Sequence, residues 1–262
     1  MNEICLQLLI SAVNQNPVRL VEKMNLHSDA ILINQCDHFG YEEIRRGGCL
    51  IRAYSLQEKG VGLSRNNALL RADGDICLFA DEDIVYTDDY PEKVLGEFAA
   101  HPEADMLLFN VEVCQARRTY HIDAYGRVRI YNCGRYPAYS FALRREAMHR
   151  KNVSFSLLFG GGARYSNGED SLFIRDCIQS GMKVYKTPVV IGREEEREST
   201  WFSGYHEKFF FDRGVLYEYL YGRLAKPMAL QFLLRHRGVM CRDISWRKAY
   251  AIMCEGLAEA RR

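Results

Sequence analysis

Long apolar runs are missing from this chain: none of its 262 residues belongs to a stretch near the ~18 consecutive apolar residues that a membrane-spanning helix needs. The opening residues, Met1-Asn2-Glu3-Ile4-Cys5, carry no basic segment, and the apolar run that follows soon meets Ser11 and Asn14. They read as a first strand and not as a signal peptide. Paired cysteines are missing too. The nine cysteines stand singly with no C-x-x-C, which argues against zinc and a disulfide framework and predicts reduced thiols packed as small hydrophobes. These absences together predict a cytoplasmic protein. Proline is scarce, with 6 residues, and neither repeats nor low-complexity tracts occur. No excess of one charge marks the whole protein as a nucleic-acid binder, because the net charge is +1.

What is there is an ordinary globular composition, 48% hydrophobic and 26% charged, in a chain long enough to bury a full core. The charge is uneven. Residues 213–262 hold ten Lys and Arg against four acids, a net of +6, which leaves residues 1–212 at −5. That basic end reads as helical from Gly204, with breaks near Pro227 and Arg242. Val215, Leu216, Tyr219, Leu220, Leu224, Met228, Leu230, Leu233 and Leu234 are interleaved there with Arg223, Lys226, Arg235 and Arg237. Such a mix suits either a peripheral face on the inner side of an anionic membrane or helices docked on the sheet with solvated cations. The pattern gives two expected domains, 1–202 and a helical extension, 203–262; it does not give an oligomeric state.

Strands and helices alternate through the first hundred residues. Strands are expected at Ile4 to Val13, Ala30 to Asn34, Cys49 to Tyr54 and Ile76 to Ala80, with helices at Pro17 to Asn25, Ser64 to Ala72 and Asp88 to Ala100. This alternation predicts an α/β fold with a doubly wound, mostly parallel sheet, whose ligands bind outside the carboxyl ends of the strands. Beyond Asp105 the rhythm changes. Strands are expected at Met106 to Val113, Tyr139 to Leu143 and Lys183 to Ile191, a hairpin over Tyr120 to Tyr131, and a solvated loop around Arg193 to Glu198.

The most informative stretch is Leu78-Phe79-Ala80-Asp81-Glu82-Asp83-Ile84, an apolar strand that runs into three acids. On an extended backbone Asp81 and Asp83 share one side and Glu82 takes the other. Two hard oxygen ligands with room for phosphates suit Mg²⁺ or Mn²⁺. A polar turn after a strand would look the same in isolation. Upstream, Gly60-Val61-Gly62-Leu63-Ser64-Arg65-Asn66-Asn67 leads from a glycine-punctuated loop into a helix, where Arg65 and free N–H groups suit an anion or Arg65 pairs with a surface acid. Downstream, Phe159-Gly160-Gly161-Gly162 precedes Gly168-Glu169-Asp170, which opens another helix.

In this order, G-x-x-x-S-R-N, F-x-D-x-D and G-E-D resemble an inverting family 2 glycosyltransferase of the GT-A fold, of the bacterial surface-polysaccharide type. The resemblance spans residues 4 to 200. It implies transfer of a sugar from a nucleotide-sugar, a UDP-sugar by preference, to a glycan or lipid-linked glycan hydroxyl, with Mn²⁺ or Mg²⁺ as cofactor. Asp83 then ligates the metal, and Asp81 contacts the metal or the ribose. Asp170 is the general base, or else a helix cap, and Glu169 orients it or caps the helix. Arg65 and Asn66 lie close to the diphosphate, and Ser11 and Asp37 sit where the family grips the nucleoside. The chain departs from the commoner pattern at Ser11-Ala12-Val13-Asn14 and at Asn34-Gln35-Cys36-Asp37. No histidine occurs between Thr187 and Phe202, where many relatives place a metal ligand, which leaves His206 as the candidate.

Two other readings stay open. A nucleotidyltransferase also combines such a sheet with paired acids, but its phosphate loop is glycine-rich and Ser11 to Arg19 holds no glycine. A non-catalytic nucleotide-sugar-binding module on the same scaffold is the other, against which the intact acids count.

Overall fold

The computed structural model describes residues 4–113, 120–195 and 204–261. In chain order these form β1 (Leu6–Val13), α1 (Pro17–Lys23), β2 (Asp29–Gln35), β3 (Gly40–Arg46), β4 (Cys49–Leu56), α2 (Val61–Arg71), β5 (Ile76–Asp81), β6 (Ile84–Tyr86), α3 (Tyr90–Ala100) and β7 (Met106–Glu112). There follow β8 (Gly126–Arg127), β9 (Phe141–Arg144), α4 (Arg145–Lys151), α5 (Glu169–Gln179), β10 (Val184–Glu194), α6 (Glu207–Tyr221), α7 (Ala225–Met240) and α8 (Trp246–Glu259). The strands join in one sheet in the order β3-β4-β2-β1-β5-β9-β7-β10-β6, with β8 added to β10. The pairs β4–β2, β2–β1, β1–β5 and β7–β10 are parallel.

Both faces of the sheet are covered, and the side-chain period of two assigns each residue to a face. Leu6, Leu8 and Ile10 of β1 and Ile76, Leu78 and Ala80 of β5 pack with Leu20 of α1 and Val94 and Phe98 of α3. Leu9, Cys77 and Phe79 point the other way, against Ala68 of α2, Met148 of α4 and Phe173 and Ile174 of α5. The doubly wound arrangement follows from this.

Three expectations change. β3 was not foreseen: its Tyr41-Glu42-Glu43 segment has no apolar alternation, because it is an exposed antiparallel edge on β4, where charge is tolerated and protective. The hairpin over 120–131 does not form. Tyr120 instead docks on β7, its hydroxyl donating to the Phe109 carbonyl (3.0 Å) and accepting the Val111 N–H (3.1 Å), while the Asn110 amide binds both backbone groups of Ile122. The loop expected from Arg193 begins later, since Arg193 and Glu194 still pair with β6; residues 196–198 lie outside the described residues.

The C-terminal helices have a core of their own, and they dock on the segment that leads into α5. Phe159, Tyr165 and Leu172 join Phe210, Leu216, Leu220, Leu233 and Met253 in one buried cluster. The break before α7 is a 3₁₀ turn at Gly222–Leu224, and Pro227 sits in the first turn of α7, where its missing N–H costs no helical bond. Of the leucines and valine read as a membrane face, Val215, Leu216, Leu220 and Leu233 are therefore core, whereas Leu224 (64% exposed) and Leu234 (46%) stay outside beside exposed Arg223 and Arg235. The expected boundary between 202 and 203 lies outside the described residues. Among the described residues, no helix is long and apolar enough to cross a membrane.

Helices α6 and α8 cross at two glycines. A Cβ on Gly214 would collide with the Met253 carbonyl oxygen, and one on Gly256 with that of Phe211. Gly214→Ala should destabilise the helical cluster by about 1–3 kcal/mol, the usual cost of overpacking, read as a lower urea midpoint. An unchanged midpoint would contradict this close approach.

Candidate active site

Strand parity decides which side chains reach the carboxyl edge. Asp81 continues the face of Cys77 and Phe79, toward α2 and α5, and Ser11 lies beside it in register on β1. Ser11 accepts a hydrogen bond from the Ser64 hydroxyl of α2 at 2.9 Å. After Asp81 the extended backbone ends, and Glu82 and Asp83 make the turn into β6. The alternation expected across all three acids therefore stops at Asp81. The Glu82 carboxylate turns back and accepts the Val13 N–H at 2.7 Å, fastening the turn to the end of β1. The Asp83 carbonyl is held by the Glu195 N–H at 2.8 Å.

Arg65 is the hub. It projects from α2 and is only 3% exposed. One terminal nitrogen donates to Asp81 at 3.0 Å, and the other donates to Asp170 at 2.8 Å and Glu169 at 3.1 Å. Its guanidinium also lies over the Phe155 ring, 5.3 Å from the centroid. Burial alone would weaken this charge, but the three carboxylates hold the Arg65 pKa above its ordinary value. A planar fork can reach β5 on one side and α5 on the other, where a single ammonium would have to choose.

Asp170 shows the opposite balance. Burial pushes its pKa well above the usual carboxylate range, the neighbouring Glu169 pushes it further, and Arg65 pulls against both. Such a carboxylate is a stronger proton acceptor than an exposed one. Glu169 packs against Gly160, which adopts φ 103°; a Cβ there would stand 2.7 Å from the Glu169 carboxyl carbon. This explains one member of the triple glycine. A second, Gly161, offers its carbonyl to the Val61 N–H at the start of α2.

These groups open into a cavity of about 970 Å³. Ser11, Arg65, Asp81, Glu82, Asp83, Glu169 and Asp170 line it, together with Glu194 at the end of β10. Other expected residues are not among its lining. The Asn66 amide clamps the Phe155 backbone, accepting its N–H at 2.8 Å and donating to its carbonyl at 2.9 Å, so it supports the ring under Arg65. Asp37 is 97% exposed at the side chain beyond β2 and accepts from His38 at 3.1 Å, which lowers its pKa. His206 is the N-cap of α6, its Nδ1 accepting the Phe209 N–H at 3.3 Å.

The chemistry of the donor set fits a Mg²⁺-like ion. Among the described residues, three His, Cys, Asp or Glu donors close enough to share an ion occur only at Cys36, Asp37 and His38, none of which lines the cavity. The cavity edge offers instead Asp81 and Asp83, hard oxygens with Asp81 already neutralised in part by Arg65. One or two carboxylates completed by phosphates and water are how such ions are usually held.

The other end of the cavity escaped the sequence reading. Arg213, Tyr217 and Tyr221 of α6, Phe232, Arg235 and His236 of α7, and Tyr131, Arg135 and Tyr136 before β9 line it. The signal was present in part: Arg213, Tyr217 and Tyr221 recur every fourth residue and so share one helix face. It was masked by the leucines of the same helices.

Residues 19–156 match the model of glycosyl transferase family 2. Among solved structures, S. aureus TarS 1–349 in complex with UDP-GlcNAc aligns with a TM-score of 0.62 at 14% identity, over 92% of this chain and 74% of that one. TarS 1–349 alone aligns at 0.64 and 12% identity, over 98% and 82%. Mannosyltransferase PcManGT from Pyrobaculum calidifontis, in complex with GDP-Man and Mn²⁺, aligns at 0.50 and 12% identity, over 99% and 76%. At such identities the likeness is one of fold. No curated protein sequence matches the chain.

Proposed function

The chain belongs to glycosyl transferase family 2 and has the GT-A fold, and from that premise we propose that it moves a sugar, with inversion, from a UDP-sugar to a hydroxyl of a glycan or lipid-linked glycan. The observation that carries the proposal is the convergence on one cavity of Asp81, Asp83 and Asp170, with Arg65 bridging the first and the last. The ligands in the related folds, UDP-GlcNAc in one and GDP-Man with Mn²⁺ in the other, support a nucleotide-sugar donor and a divalent ion here.

In this reading Asp83, with Asp81, would hold Mn²⁺ or Mg²⁺, which supplies charge neutralisation for the departing diphosphate when bound. Ser11, on β1 beside Asp81, contacts the nucleoside side of the donor. Asp170 accepts the proton of the acceptor hydroxyl as its oxygen bonds to the anomeric carbon and the bond to the diphosphate breaks. Arg65 fixes the Asp170 carboxylate relative to Asp81, so that base and donor keep their spacing. Asp83→Ala should abolish the Mn²⁺-dependent part of UDP affinity in a calorimetric titration while leaving the melting temperature near that of the parent. Retained Mn²⁺ dependence would remove Asp83 from the metal site.

A further inference from the structure

The lining of the cavity divides by element. The edge of the sheet and the start of α5 give the carboxylates Asp81, Asp83, Glu169, Asp170 and Glu194, whereas α6, α7 and the segment before β9 give a cationic and aromatic end, with Arg135, Arg213, Arg235 and His236. Arg213 is the unusual member. Among the described residues no carboxylate reaches its guanidinium; the contacts are the rings of Phe209 and Phe232, with centroids 5.2 and 5.3 Å away. Its Nε is buried without a hydrogen-bond partner. Desolvation lowers its pKa, and only tyrosines, Tyr217, Tyr221 and Tyr205, act against this. Arg213 is half-buried, and desolvating a cation even in part without a counter-charge is costly unless something completes it. Arg65, in the same cavity, shows the contrast, with three carboxylates around it.

The neighbours of Arg213 suit the same occupant. Arg235, one helix over, is exposed at the cavity and makes no ion pair among the described residues. His236 donates Nδ1–H to the Phe232 carbonyl at 2.8 Å, which leaves its Nε2 for another contact. Tyr221 and Phe232 are partly exposed at the cavity, where such rings can pack on sugar carbons while the cations take a charged group, and buried Tyr217 packs edge-on against both. The segment before β9 ties this end to the base helix: the Cβ direction of Gly134 meets Ser171 Oγ at 3.7 Å and Tyr221 Oη at 3.9 Å. Ser171 follows Asp170 directly, so Gly134 and Tyr221 stand beside the start of the helix that carries the proton acceptor.

We propose that the cationic and aromatic end of the cavity is the acceptor subsite, and that it takes a sugar carrying an anionic group, a phosphate or a carboxylate, with Arg213 and Arg235 as its specificity-determining contacts. The proposal rests on the glycosyl-transfer reading of the same cavity.

The test is binding of small probes to the full chain by ligand-observed NMR, with UDP and Mn²⁺ binding measured separately on the same samples. The probes are N-acetylglucosamine, N-acetylglucosamine 6-phosphate and glucuronic acid. The expected result is that one anionic probe binds at least about tenfold more tightly than the neutral sugar, as a charge-assisted contact should. Arg213→Gln and Arg235→Gln should each remove most of that preference, Arg213→Lys should keep part of it, and UDP affinity should stay within about twofold in all three. Preference for the phosphate or for glucuronic acid identifies which anion is read. Should Arg213→Gln lower the melting temperature, Arg235→Gln at the exposed position carries the comparison. Equal binding of neutral and anionic sugars, competition of UDP for the anionic probe, or loss of UDP affinity in the arginine variants would overturn the proposal. Failure of UDP to bind the parent protein would instead sink the donor reading, because the probe measurements do not depend on it.

Discussion

Replacing Arg65 with methionine should cost the fold about 3–5 kcal/mol, the range for removing one partner of a buried ion pair. The reason is what remains. Without the guanidinium, Asp81, Glu169 and Asp170 are left facing one another on the cavity wall, only partly reached by water, and all three carboxylates lose their shared donor. They must protonate or splay apart. Arg65→Lys should recover only part of the loss, since one ammonium cannot hold β5 and α5 together with the geometry of a fork. Urea unfolding at neutral pH checks both variants. The deficit of Arg65→Met should shrink as pH falls, because protonation removes the carboxylate charges that the substitution leaves unpaired. A loss of under 1 kcal/mol would mean that the acids find other partners and that Arg65 is no hub.

Asp170→Asn should lower turnover by about 10²–10⁴-fold, the usual contribution of a positioned base, while leaving nucleotide affinity within a few-fold. The amide keeps the shape of the carboxylate and can still accept from Arg65, but it cannot take a proton. The pH profile is a sharper readout. The base works only when ionised, and its pKa is raised by burial and by Glu169. Turnover of the parent should therefore climb with pH through a limb above the ordinary aspartate value of about 3.9, whereas residual turnover of the variant should lack that limb. Normal turnover by Asp170→Asn would end the assignment.

How much of this was legible before the structure varies with the physics involved. The strands β1, β2, β4 and β5 and the helices between them carry their period in apolar residues, so the doubly wound sheet could be read directly. The acids at the end of β5 were visible because three carboxylates in a row contradict an apolar run. What they do individually was less legible. The expectation for Asp81 and Asp83 assumed that the backbone stays extended, and a turn of two residues broke it. Asn66 had the right type and position for an anion contact, yet its amide serves the Phe155 backbone 89 residues away. Only the tertiary fold brings that partner. The sequence offers Arg65 as an anion contact or as the partner of a surface acid; the structure pairs it instead with three acids of the cavity wall, from two elements. The aromatic end of the cavity lay in helices whose leucines suggested a membrane face, because sequence spacing alone cannot tell a helix packed against a neighbouring helix from one packed on lipid.

The central claim is that this cavity takes a nucleotide-sugar with a divalent ion and breaks its bond to the diphosphate. Release of free UDP from a panel of UDP-sugars, followed over hours with Mn²⁺, with Mg²⁺ and with chelator, tests it most directly. The account predicts slow UDP release from one or a few members of the panel, in the presence of either ion and not in chelator, and abolished by Asp83→Ala. The account would be contradicted by UDP release that continues unchanged in chelator, or by a panel of UDP- and GDP-sugars none of which binds or breaks down with either ion.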